Sequence, residues 1–194
     1  VSKGRLEAFS DGVMAIIITI MVLELRPPHG VELASLRPLF PTFLSYVLSF
    51  AYLGIYWNNH HHLLQAARHV DGRILWANMH LLFWLSLVPF VTAFMGENHF
   101  ASLPVALYGL VLIMAGMAYF ILTRALIRRH GAESALAKAL GSDFKGKISV
   151  VAYAVAILLA FALPALSCAV YVLVAVIWLI PDRRIENALA QRSA

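Results

Sequence analysis

The apolar positions of this chain gather into six long runs. They extend from Leu6 to Leu25, Leu39 to Leu64, Ile74 to Met95, Leu103 to Ile127, Ile148 to Leu163 and Leu166 to Ile180. Each approaches or exceeds the ~20 residues an α-helix needs to cross a hydrocarbon core of about 30 Å. No run alternates apolar and polar residues as a half-buried strand would, and backbone groups in lipid must be bonded within the segment, so helices are predicted throughout. The breaks carry turn chemistry: Pro27-Pro28-His29-Gly30, Asp71-Gly72, Gly96-Glu97-Asn98 and Pro181-Asp182. The last two runs are short and separated only by Pro164 to Ser167. The pattern predicts an all-α integral membrane protein, a single bundle of six transmembrane helices forming one domain over residues 1–194.

Basic residues fix the expected orientation. With the N-terminus inside and the chain alternating, inside segments hold Lys3, Arg5, Arg68, Arg73, Arg124, Arg128, Arg129, Lys138, Lys145, Lys147, Arg183, Arg184 and Arg192. Outside segments hold only Arg26 and Arg37. This asymmetry is the positive-inside rule at work; it places both termini in the cytoplasm and requires an even number of crossings. The basic loop from Arg128 to Lys147 holds a segment, Ala132 to Leu140, suited to a short surface helix ended by Gly141, with anionic headgroups as its expected neighbours. No cleavable leader is read at the start, because charged residues lead into the first run and no small-residue cleavage site follows it.

Composition narrows the function classes. Hydrophobic residues make up 61% of the 194 and charged residues 13%, where a soluble domain carries about 25% charged. The net charge of +5 is distributed between apolar runs, so it orients the chain in membrane lipid and gives no reason to expect nucleic acid. The one cysteine, Cys168, lies inside an apolar run and offers neither an intrachain disulfide nor a zinc site.

The first run departs from an ordinary string of leucines. At about 100° per residue, Ile16, Thr19, Ile20 and Leu23 fall on one narrow stripe and Asp11 near the opposite side. An ionisable residue in or beside the membrane is costly without a partner. The stripe alone is also what ordinary helix packing produces, and a threonine there can simply bond its own helix.

Arg5, Phe9, Ser10 and Asp11, followed by Ala15-Ile16, Thr19 and Leu23-Glu24-Leu25, form a string that resembles the first-helix signature of the transmembrane protein 175 family of potassium channels. That resemblance implies a prokaryotic, single-repeat member in the plasma membrane that assembles as a homotetramer around a central pore. It implies that Ile16, Ile20 and Leu23 form the hydrophobic constriction and that Thr19 contributes a hydroxyl layer touching permeant potassium. It also assigns Arg5, Phe9, Ser10 and Asp11 to a helix-bundling network. As in that family, no T-V-G-Y-G carbonyl filter occurs, so modest selectivity and gating by dewetting are expected.

Further polar residues lie near the inner ends of the second and third runs. Asn78, His80 and Trp84 are expected to bond with Arg5, Ser10 or Asp11 across helices. His60, His61 and His62 point about 100° apart on a helix and have no carboxylate beside them, so no metal is expected. No cofactor is expected, and H-E-x-x-H, G-x-S-x-G and paired carboxylates are all missing, which argues against an enzyme. Two alternatives compete with a potassium channel: a proton channel and a proton-coupled secondary transporter. Transporters favour paired broken helices, and only Pro89 marks such a break here.

Overall fold

A computed structural model describes residues 2–131 and 144–179. The expected loop helix at 132–140, Lys138, Pro181-Asp182 and the arginines beyond lie outside them. The described residues are all helical in their regular structure. In chain order they form α1 (Lys3–Leu23), a 3-10 helix (Leu33–Leu39), α2 (Phe40–Ala66), α3 (Gly72–Ser86), α4 (Val88–Glu97) and α5 (Ser102–His130), then α6 (Phe144–Leu159) and α7 (Pro164–Leu179).

Among the described residues, four stretches are long and apolar enough to cross a membrane: α1, the 3-10 helix continued into α2, α3 continued into α4, and α5. At 16 residues each, α6 and α7 rise about 24 Å, just short of a full hydrocarbon core. The third expected run is therefore two helices. Pro89 has no N–H to return to the preceding turn, and its ring crowds the carbonyl four residues back, so the regular helix is interrupted at Leu87. One weak turn, Leu87 N–H to the Trp84 carbonyl at 3.2 Å, bridges the break.

α5 is the axis of packing, in contact with α3, α4, α6 and α7. α1 lies at the margin and touches α2, α3 and α4. The α2–α4 contact depends on Gly96, where an added Cβ would sit 2.6 Å from the Thr42 Cα. Where α2, α5, α6 and α7 meet, tyrosines supply both apolar bulk and the bonds that buried hydroxyls need. Tyr52 donates to the Tyr171 carbonyl at 2.6 Å, Tyr153 donates to the Tyr52 hydroxyl at 3.2 Å and Tyr171 donates to the Val105 carbonyl at 3.1 Å. Ser49 joins Thr92 (2.6 Å) and Tyr108 (3.0 Å), tying α4 into the same core.

One end of the bundle is defined by bonds between chain-distant residues. Lys3 Nζ donates to the Gln65 carbonyl (3.3 Å), which puts the start of α1 beside the end of α2. His130, on the last turn of α5, accepts on Nε2 from the backbone N–H of Arg68 (2.9 Å) and His69 (3.2 Å). Its Nδ1 lies 2.9 Å from the Leu126 carbonyl, and the ring staples the α2–α3 turn to α5.

Candidate functional site

α1 has two faces with different chemistry. Leu6, Ser10, Met14, Ile17 and Met21, spaced three or four apart, are buried against the bundle. The opposite face carries Ile16 at 59% exposure, Ile20 at 42% and Leu23 at 76%, with Thr19 exposed between them. The four stripe residues thus share one outward, exposed line. The Thr19 hydroxyl donates to the Ile16 carbonyl at 2.8 Å. That fixes its rotamer and turns the oxygen's free lone pairs away from the bond.

Beside this line, a cleft of about 650 Å³ opens between α1 and α4. Ile16, Ile20 and Phe90 form its apolar walls, and Glu24, Arg26 and Glu97 lie toward the end opposite Lys3.

A ladder of buried polar groups holds the inward face. Ser10 is fully buried and donates to the Leu6 carbonyl at 2.8 Å. Its oxygen accepts from Asn78 Nδ2 at 2.9 Å, joining α1 to α3. The amide oxygen of Asn78 then faces His60 Nε2 on α2 at 2.7 Å. Because the serine proton is committed to Leu6 and the amide N–H to Ser10, the proton of this last bond must come from His60 Nε2. Three helices are fastened by one unbranched chain of donors.

The other expected network residues are distributed differently. Asp11 is exposed and accepts from Trp57 Nε1 on α2 at 3.0 Å; it meets none of Arg5, His80, Asn78 or Trp84. Trp57 in turn stacks on His61 with ring centroids 5.9 Å apart. His80 and Trp84 bond each other within α3 (3.0 Å), one turn apart, and do not reach α1. Arg5 is exposed and makes no side-chain hydrogen bond or ion pair among the described residues. Phe9, 50% exposed, lies outside the ladder. At seven and fourteen residues before Ile16 and Leu23 it falls on their outward line, because seven residues are nearly two helical turns.

Two contributors went unassigned in the sequence reading: Trp57 as the partner of Asp11, and His60 as the far end of the ladder. Both lie in the polar run that ends α2. Their helical spacing was visible, but the rotation of α2 against α1 and α3 was not. Among the described residues, no three His, Cys, Asp or Glu side chains stand close enough to hold a metal ion.

Residues 5–89 match the family model for the endosomal/lysosomal potassium channel TMEM175. Over 190 residues the chain is 57% identical to a potassium channel of Chryseobacterium sp. (strain P1-3), covering 98% of this chain and 99% of that one. It is 38% identical over 79 residues to the human endosomal/lysosomal proton channel TMEM175, which covers 34% of this chain and 16% of the human one. In three dimensions it resembles the crystal structure of a lysosomal potassium-selective channel TMEM175 homolog from Chamaesiphon minutus. The TM-score is 0.79 at 30% identity, covering 93% of this chain and 97% of that one.

Proposed function

Because this chain belongs to the TMEM175 family, we propose that it is a potassium channel, a homotetramer in a prokaryotic plasma membrane whose pore is lined by α1. The family is one of channels and not of enzymes. The observation that carries the proposal is the outward line of α1: isoleucines and a leucine exposed on a helix whose other face is bonded into its own bundle. A surface meeting only lipid would give the same apolar line. The adjacent cleft with Glu24, Arg26 and Glu97 at one end favours a face that also meets water and ions.

Four copies of α1 around an axis would present stacked rings of Ile16, Ile20 and Leu23, with Thr19 between the first two. Narrow apolar rings exclude water and ions together, so they serve as a gate that opens on wetting. Four hydroxyls give a weaker field than a cage of backbone carbonyls, so the preference for potassium over sodium is modest. Both termini face the cytoplasm, and the 194 residues act as one channel domain.

Flux into liposomes holding the purified protein tests this. The expected result is potassium flux down either gradient, faster than sodium, with no second substrate needed. Potassium movement only when protons move with or against it would overturn a channel in favour of a coupled carrier. Proton conduction is the second reading, favoured by the likeness to the human protein named a proton channel. An internal pH dye in potassium-free vesicles separates the two.

A further inference from the structure

At the end of the bundle where α1 begins, a cavity of about 790 Å³ lies between the first turns of α3 and the last turns of α5. Arg73, Arg124 and Arg128 line it, and so does Arg129, which pairs with Asp71 at 3.7 Å. Asp71 is the one carboxylate in the lining, and its other oxygen already caps α3 by accepting from the backbone N–H of Arg73 and Ile74, both at 3.0 Å. Arg73, Arg124 and Arg128 therefore face the cavity with no carboxylate partner among the described residues.

The walls differ from a solvated basic surface. The Arg124 guanidinium lies over the Phe120 ring, 5.0 Å from its centroid, and is held by that contact with its donors free. Trp76 lines the cavity at 78% exposure, and an exposed tryptophan at a helix end is the side chain that settles at the headgroup level of a bilayer. Ile121 adds an exposed apolar side chain to the α5 wall, and exposed Met79 and Phe83 continue along α3, the kind of surface acyl chains cover. Guanidinium forks match phosphate oxygens, which they engage by paired N–H bonds.

We propose that this cavity binds the phosphate of an anionic phospholipid, with the headgroup among Arg73, Arg124 and Arg128 and the acyl chains on the apolar surface that follows. A basic pocket between membrane helices is a known setting for anionic headgroups. A phosphate alone would use the arginines and leave Trp76 and the apolar surface without a role, which favours the lipid as source. The site lies apart from the α1 line and holds whether or not that line conducts.

Tryptophan quenching tests it. The full chain is placed in vesicles containing brominated phosphatidylglycerol or brominated phosphatidylcholine, and the Trp76 share of emission is isolated by comparison with Trp76→Phe. The anionic lipid is expected to quench Trp76 at a roughly tenfold lower mole fraction than the zwitterionic one. Arg124→Gln together with Arg128→Gln should bring the two within about twofold, while the paired lysine substitutions, which keep the charge and lose the forked donors, should retain only part of the preference. If the double glutamine variant fails to assemble, Arg73→Gln alone should lower the preference by about threefold. Equal quenching by both lipids in the native protein, or a preference that survives the glutamine variants, overturns the proposal. Loss of the preference on adding millimolar inorganic phosphate also overturns it, because the site would then be one for a soluble anion.

Discussion

Thr19 shows how much one side chain can be asked to do. Its proton goes to the Ile16 carbonyl, so it can offer an ion only oxygen lone pairs, which is what a cation requires. Thr19→Val keeps the shape and removes that oxygen. The expected outcome is a smaller preference for potassium over sodium, read as a shift of the reversal potential in mixed solutions, with assembly intact. An unmoved reversal potential would reduce Thr19 to a residue that only bonds its own helix. Ile16 tests the gate instead. In the proposed pore, Ile16→Asn should wet the Ile16 ring and raise basal conductance, and unchanged conductance would remove Ile16 from the constriction. The polar residues of α1 separate in a further way. Asn78→Leu strands both Ser10 and His60 in a buried ladder and should cost about 2–3 kcal/mol. Asp11→Ala loses one exposed bond to Trp57 and should cost about 1 kcal/mol or less. Comparable losses in the two variants, measured by thermal unfolding in detergent, would contradict this ranking.

At the scale of elements, length and apolarity made the helices legible. The runs expected at Leu6–Leu25 and Leu103–Ile127 correspond to α1 and α5 with ends shifted by a few residues: polar flanks extend the start of α1 and both ends of α5, while α1 stops at Leu23, short of Leu25. The interruption at Leu87 was half legible: Pro89 announced a break, but the split into two helices depends on how α4 lies on α2. That contact is testable through Gly96. Gly96→Val places carbon against the Thr42 backbone and should destabilise the fold by about 1–3 kcal/mol, whereas Gly116→Ala, where the nearest group is the Tyr56 hydroxyl at 3.8 Å, should be tolerated. The partners of Ser10 and Asp11 were the least legible part of the site. Asn78 was among the expected partners because it sits at a matching depth. Trp57 and His60 were not, because nothing in a single sequence states how far one helix is rotated against another. Phe9 was grouped with the bundling residues by its place in the motif, whereas its seven-residue spacing from Ile16 places it on the outward line.

At the scale of the whole molecule, α1 is held unevenly along its length. Its first half is fastened by Lys3 to Gln65, by the Ser10–Asn78–His60 chain and by Asp11 to Trp57. Beyond Met14 the links to the bundle are apolar contacts of Ile17 and Met21, with the Met21 sulfur 4.0 Å from the Thr92 hydroxyl. Spin labels at Leu23 in the assembled protein should therefore report a broader distance distribution than labels at Arg5, and equal widths would mean that α1 is held as firmly at both ends. Mechanically, the helix is a lever with its fulcrum at Ser10. Ile16 sits about 9 Å along that arm and Leu23 about 20 Å, so a tilt of about 5° moves the first by roughly 0.8 Å and the second by roughly twice that. In the proposed pore the Leu23 ring would therefore swing widest, and the Ile16 ring, nearest the pivot, least.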